Sequence, residues 1–468
     1  MSSQQPEKTF RDEISTVSSE GKRVWVHCKQ PKGKLYTYRS IFAYFLLAFL
    51  VLAPILKVGG EQMILLDVLG RRFIFFGMIF WPQDFYLFYL IMLSGIVFII
   101  LFTVVYGRLF CGWACPQTVF LEFVFRKIEW LIDGTPAQQK KLQAQGWTFE
   151  KIWKRIVKHG IFWGLSFFFS NVFLSYLIGF DEVMEIVTAP ISEHLTGFII
   201  IAVFSSAYYF IYAWFREQVC TLMCPYGRLQ GVLLDKNSII VAYDEYRGEP
   251  RGVAKKGEKE AGISKGDCID CKQCVAVCPT GIDIRNGSQL ECINCTACID
   301  ACNEVMLKVG KPQGLIRYDS ITSLETGKKF TLSTRNVAYS VVLVMIIVFA
   351  SFMFFTRPVV ETTILRTPGM TYQEQSNNEL SNVYNFKIVN KSNEDIDLTI
   401  KLIEPEYGRL VVSGNSSIKY NSKTEGVMIV YINKDKIKSK RTKLRFGIYK
   451  GDKLIEDYVS TFTGPNVK

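Results

Sequence analysis

Histidine is scarce: the 468 residues hold three, His27, His159 and His194. No two are spaced across facing apolar runs as a pair of haem ligands would be, so each reads as structural or exposed. Cysteine stops early. All thirteen precede Asn303, which leaves the last third of the chain without thiols and without any disulfide framework. Residues 180–195 contain no lysine or arginine, only Asp181, Glu182, Glu185 and Glu193 as charged side chains. There is no apolar leader either, because the first forty residues are polar, so a cleavable signal peptide is not expected.

Charge is almost missing from five long runs: Ile41–Val58, Phe85–Tyr106, Ile161–Gly179, Gly197–Phe215 and Val337–Phe355. At 1.5 Å per residue, about 20 residues cross a hydrocarbon core of about 30 Å. Five such runs imply five transmembrane helices. The formal charge of +12 could suit nucleic acid, but the lysines and arginines follow a membrane pattern, and no nucleic-acid partner is expected. Eight fall in residues 1–39 and nine in 107–158, against two in 59–84. Basic short loops stay in the cytoplasm. That places the N-terminus, 107–158 and 216–336 inside, and the chain after Arg357 outside. The stretch "MILLDVLGRRFIFFGMIFWPQD" is apolar but carries Asp67, Arg71 and Arg72. Since an arginine at mid-membrane costs about 2.5–3.5 kcal/mol, it reads as a hairpin at the outer interface anchored by Trp81 rather than as a span.

The expected fold is therefore a multi-pass α-helical membrane protein with a cytoplasmic ferredoxin-like insert and a C-terminal periplasmic immunoglobulin-like β-sandwich. The divisions are 1–39, a basic and mostly disordered tail; 40–243, a four-helix membrane domain; 244–336, a linker and ferredoxin-like domain; 337–356, the fifth helix; and 357–468, the sandwich. The segment 244–266, "DEYRGEPRGVAKKGEKEAGISKG", has a linker's composition. The sandwich rests on alternating runs such as "NFKIVN", "VMIVYI" and "TKLRFGIY" between turn residues, and 107–158 looks largely helical and amphipathic.

Two motifs carry chemistry. "CIDCKQCVAVC" (Cys268, Cys271, Cys274, Cys278) and "CINCTACIDAC" (Cys292, Cys295, Cys298, Cys302) both space their thiols C-x2-C-x2-C-x3-C. Three cysteines on one tight loop can take three corners of a cubane, and the fourth corner comes from the other run. The spacing assigns Cys268, Cys271, Cys274 and Cys302 to one 4Fe–4S cluster, and Cys292, Cys295, Cys298 and Cys278 to a second. Zinc ribbons use separated Cys-x2-Cys pairs, and a reducing compartment disfavours disulfides. Asn303 stands where proline usually follows such a run.

The second motif is Cys-x3-Cys-Pro, present twice: "CGWACP" (Cys111, Cys115) and "CTLMCP" (Cys220, Cys224), each at the end of an apolar run. Positions i and i+4 share a helix face, and each proline should break the helix at the second cysteine. Four such thiols could bind copper and favour Cu(I), ligate a further cluster, or act as a redox dithiol. Arg108 and Arg216 could lower the thiol pKa values or simply mark the membrane boundary. Met223 is a candidate thioether ligand, the other methionines lack an export-type cluster, and Cys28 reads as a lone free thiol.

Five spans, the two Cys-x3-Cys-Pro sites, the eight-cysteine insert and the β-rich tail resemble the cytochrome c oxidase accessory protein family, called CcoG, FixG or RdxA. "FGMIFWPQDF", "LFCGWACPQTVF" and "CTLMCPYGRLQ" look like its signature stretches, and the likeness covers nearly the whole chain. The resemblance implies a cupric reductase of the bacterial inner membrane that supplies reduced copper for assembly of cbb3-type cytochrome oxidase. Cys111, Cys115, Cys220 and Cys224 would handle copper as substrate, and the eight ferredoxin cysteines would hold the clusters. A cytoplasmic electron donor, a copper exporter or chaperone and the oxidase assembly machinery would be its partners. Two alternatives stay open: a relay that passes electrons to quinone or a periplasmic oxidoreductase, and a non-catalytic redox-sensing scaffold.

Overall fold

Five helices in the computed structural model are long and apolar enough to cross a membrane: Lys34–Leu52, Tyr86–Tyr106, Phe149–Ile178, Leu195–Phe215 and Thr334–Phe355. The structure describes residues 15–465 apart from 19, 69, 71, 81–84, 254–264, 328–333, 357–359, 376, 392–394, 415, 416, 420, 421 and 438. Trp81, Arg71 and the middle of the expected linker thus lie outside the described residues.

The first helix sits earlier than the apolar run Ile41–Val58 suggests. It stops at Leu52 because Pro54 has no N–H to continue the ladder and its ring clashes with the preceding turn. Its start is polar, and a distant residue makes that start possible. The Asp300 carboxylate accepts from the backbone N–H groups of Leu35 (3.3 Å) and Tyr36 (2.8 Å). These are donors that a helix N-terminus leaves unpaired, and a carboxylate there also meets the favourable end of the helix dipole. Gly33 allows the approach, since a Cβ there would come within 2.3 Å of the Asp300 Cγ.

The expectation of a mostly disordered tail fails for its described part. Residues before Lys34 are pinned by partners far along the chain. The Lys29 N–H donates to the Ala276 carbonyl at 2.7 Å, His27 bonds to the side chains of Gln139 and Gln143, and Cys28 is buried. The linker expected over 244–266 also begins too early. Ile240–Tyr243 pairs antiparallel with Ile316–Asp319, and Asp244 caps the short helix Glu245–Gly248 through the Arg247 N–H.

The third and fourth spans pack against each other as a hairpin. The segment after the first span meets the connection of that hairpin: Lys57 pairs with Asp181 at 2.8 Å, and the Gln62 side chain bonds to the Ser175 carbonyl and the Phe180 N–H. The stretch with Asp67 and Arg72 is not a span. It forms a three-stranded meander, Ile64–Asp67, Arg72–Phe75 and Met78–Phe80. The 107–158 segment is largely helical, with Pro136–Ala144 started by a Thr135–Gln138 capping box.

Residues 351–468 form a separate compact unit. One sheet runs Arg409–Ser413, Lys423–Asn433, Glu379–Asn390, Val360–Arg366, and a second runs Thr399–Glu404, Arg441–Lys450, Lys453–Thr463. Period-two alternation sends Tyr384, Met428, Val430, Leu444, Phe446 and Phe462 into one buried core, each such apolar side chain contributing roughly 1.5–3 kcal/mol. Tyr384 also donates its hydroxyl to the Thr461 carbonyl at 2.9 Å, tying one sheet to the other.

Candidate functional site

The two cysteine runs fold alike. In the first, Asp270 and Lys272 adopt left-handed backbone (φ 54° and 55°); at the same positions of the second, Asn294 and Thr296 do so (φ 53° and 65°). Such φ values are uncommon for side-chain-bearing residues, and backbone turned this way forms a concave nest of N–H groups that favours an anion. A helix follows each loop, Gln273–Ala276 and Ala297–Lys308. Asn303, in the usual proline position, lies inside the longer helix and accepts from the Gly314 N–H at 2.9 Å.

The cysteines sort into two neighbourhoods. Burial, then the nearby Cys271 and Cys268, push the Cys302 thiol up to about 11. Burial, then Cys295, Cys292, Cys278 and, from the first set, Cys274, push the Cys298 thiol well above its ordinary range. A cavity lined by Cys274, Cys278, Cys292, Cys295 and Cys298 is completed by apolar groups such as Val241, Ile284 and Ile293 and by Thr280 and Thr296. Among the described residues no three His, Cys, Asp or Glu side chains converge on a single ion; a cubane instead spreads its four sulfurs over four irons. The donor chemistry fits such a group. So does Arg39, fully buried with Nη1 and Nη2 unpartnered, whose positive charge acts on Cys295.

Each Cys-x3-Cys-Pro site breaks where the proline requires. Cys111 lies on the short helix Leu109–Trp113, while Cys115 is extended (φ −61°, ψ 125°) ahead of a helix opened by Pro116. Cys220 lies on a π-helical turn, Val219–Met223, and Cys224 is extended (φ −72°, ψ 108°) ahead of Pro225. The i, i+4 helix-face geometry therefore does not hold through either site, yet all four thiols are neighbours. Burial raises Cys220 to about 12, with Cys115, Cys111 and Cys224 adding to the rise. Arg108 opposes burial at Cys111 but does not outweigh it, and that thiol sits at about 11. Arg216 has another role, a two-pronged pair with Glu129 at 2.6 and 2.8 Å. Met223 is 59% exposed.

The two thiol systems touch. Cys111 belongs to one buried apolar cluster with Ile293, Cys295, Ala297 and Val277. A Cβ on Gly112 would lie 2.4 Å from the Ile293 carbonyl oxygen, so the membrane-edge loop and the second cluster loop meet backbone to backbone. Arg39 Nε donates to the Gly112 carbonyl at 2.6 Å, and Tyr318 links Trp113 to the Asn294 carbonyl.

Sequence reasoning missed three groups. Gln230, fully buried, accepts from the Cys111 thiol at 2.9 Å and donates to Thr103. Arg39 was hidden in an apparent tail. The third is a buried network in which Arg126 pairs with Glu122 and Glu217 and donates to the Pro279 carbonyl at 2.8 Å. Burial disfavours the Glu129 carboxylate, but Arg216 and Lys158 together hold it below its usual range. The advance signals were the charged residues past each span and the place of Gln230 at the end of "CTLMCPYGRLQ".

Comparisons with known proteins match three segments of the chain to family models and much of its length to relatives. A 4Fe–4S dicluster domain model matches residues 215–321, a 4Fe–4S binding domain model matches 88–133, and a model of the Ig-like fold at the C-terminus of FixG matches 350–465. Protein RdxA of Cereibacter sphaeroides is 34% identical over 345 residues, 72% of each chain. Protein RdxB of the same organism is 33% identical over 408 residues, 83% of this chain and 84% of its own. Nitrogen fixation protein FixG of Rhizobium meliloti is 35% identical over 306 residues, 64% of this chain and 58% of its own. The crystal structure of a FixG-related protein from Vibrio parahaemolyticus aligns with 23% of this chain and 97% of its own at 18% identity, with a TM-score of 0.19.

Proposed function

The chain belongs to the FixG/RdxA family, a family of membrane iron–sulfur redox proteins, and from there we propose that it reduces Cu(II) to Cu(I) at the membrane-edge thiols to supply cytochrome oxidase assembly. The observation that carries this reading is the packing of Cys111 against Cys295 with Gly112 pressed on the Ile293 carbonyl. Cluster ligands and membrane thiols share one dry, water-excluding contact.

Cys268, Cys271, Cys274 and Cys302 would hold one 4Fe–4S cluster, and Cys292, Cys295, Cys298 and Cys278 the other; when bound, these groups supply one-electron storage. The nests at Asp270–Lys272 and Asn294–Thr296 and the Arg39 guanidinium hold negative charge there. Copper is the substrate: Cu(II) takes one electron and becomes Cu(I), which thiolate sulfur favours. Thiols kept protonated by burial release their protons when a metal binds. Gln230 fixes the Cys111 sulfur. The Lys/Arg excess in 1–39 and 107–158 supports a cytoplasmic position in the inner membrane for this face and a periplasmic one for the sandwich.

One observation favours a second reading. The 4Fe–4S binding match over 88–133 contains Cys111 and Cys115, as a further cluster at the four membrane thiols would require. Iron analysis of anaerobically purified protein separates the two. About eight irons per chain, with Cu(II) reduction that disappears in Cys111→Ser/Cys220→Ser, supports the reductase, and about twelve supports a relay. Eight irons in a native chain that fails to reduce Cu(II) under a strong donor would leave only the scaffold.

A further inference from the structure

Of the thirteen cysteines only Cys271 is exposed, and its surroundings differ from those of every other thiol. It lines a cleft of about 450 Å³ with Lys29, Lys32, Glu304 and Lys308. Lys272 follows it directly and is exposed, as are Lys29, Lys32 and Lys308. Glu304, the one carboxylate lining the cleft, is paired with Lys308 at 2.6 Å, and Lys29 and Lys32 also hold its charge in place. Three lysines against one glutamate leave the lining at about +2; the fourth lysine, Lys272, lies beside it, and Leu307 and Val309 are exposed at the end of the same helix. Half of this rim comes from the N-terminal segment, fixed there by the Lys29 N–H bond to Ala276 and by Lys29 Nζ on the Gln273 side chain at 3.2 Å.

The geometry points to this cleft as the docking site of an acidic one-electron carrier protein, a reduced flavodoxin or ferredoxin in chemical class. The inference rests on the iron–sulfur reading and deepens it by naming where electrons arrive. The occupant is chosen by charge complementarity around a ligand sulfur. A basic rim orients an acidic partner and raises its association rate, and an exposed ligand brings the partner's redox group close. Cys268, Cys271, Cys274 and Cys302 would hold the centre that accepts one electron from the reduced carrier, a transfer that needs no bond to form or break and no proton to move. Redox encounters of this kind bury little area, so charge rather than a large apolar face sets their specificity.

The test uses the full chain in detergent or nanodiscs, an acidic ferredoxin as probe, and two readouts: carrier binding, and the stopped-flow rate of cluster reduction over a salt series. In Lys29→Glu/Lys32→Glu/Lys308→Glu the association rate should fall at least about tenfold and lose most of its salt dependence, within the range that electrostatic steering commands. The matching triple glutamine variant should fall between it and the native chain. Iron content and the reduced-cluster spectrum should stay unchanged in both, as should copper reduction when a small chemical reductant replaces the carrier. Unchanged binding and rate in the glutamate variant, or a native rate indifferent to salt, overturns the docking site whatever the copper result. A docking effect in a chain that fails to reduce copper keeps the docking site and removes the copper reading.

Discussion

The two cysteine runs have the same spacing, the same left-handed positions and opposite surroundings. In the first, Cys271 is exposed among lysines, the exposed Asp270 pairs with the buried Arg285, and Pro279 ends the run against Arg126. In the second, Cys295 is buried beside Cys111, Asn294 is buried and accepts from the Val241 N–H, and Asn303 lets the helix continue to Lys308. Ligand geometry decides which cofactor a loop can hold, whereas the flanking residues decide what that cofactor can exchange electrons with. One loop faces water and the other faces the thiols.

The strongest way to break this asymmetry is to remove one ligand from each side. Both Cys271→Ser and Cys295→Ser should lose iron, but after reduction by a small diffusible reductant only Cys295→Ser should lose copper reduction completely. Equal loss in both would show that the second run has no privileged path to the membrane thiols. A second break acts on the junction. Arg126→Leu leaves Glu122 buried without its partner and frees the Pro279 carbonyl, and should cost about 3–5 kcal/mol, seen as a lower unfolding temperature of the detergent-solubilised protein.

Gly112→Val sharpens the comparison, because Gly112 has no left-handed backbone and needs only space. Its added side chain must push the thiol loop off Ile293. Copper reduction should slow by about 100-fold, the loss that a displacement near 1 Å can cause, while iron content holds, and Gly112→Ala should give a smaller loss. The gentlest test makes the loops alike. Asp270→Asn removes a negative charge beside the first run, and redox titration should find that centre's midpoint raised by roughly 20–60 mV, at most about a tenfold change in a one-electron equilibrium.

What the sequence revealed and what it concealed divide along the range of each interaction. Ligand spacing, the helix breaks at Cys115 and Cys224 and the alternation of Val427–Ile432 are set by covalent neighbours, so they could be read directly. The first helix was misplaced because its stop depends on Pro54, which is local, but its start depends on Asp300, which is not. The segment before Lys34 looked disordered because its composition is polar; Ala276, Gln139 and Gln143, which hold it, are more than a hundred positions away. Gln230 closes the stretch "CTLMCPYGRLQ", but nothing in that stretch points it at Cys111, and only folding brings the two together.

The bond from Asp300 to the first helix bears on how the molecule is made. A ribosome delivers residues in order, so Leu35 and Tyr36 emerge with their amide hydrogens unanswered, and the residue that answers them is synthesised about 265 positions later. Asp300 lies two residues before Cys302, within the final ligand run. The opening membrane segment is therefore completed by the last piece of the metal-binding module, which ties maturation of that module to the finished state of the bilayer part.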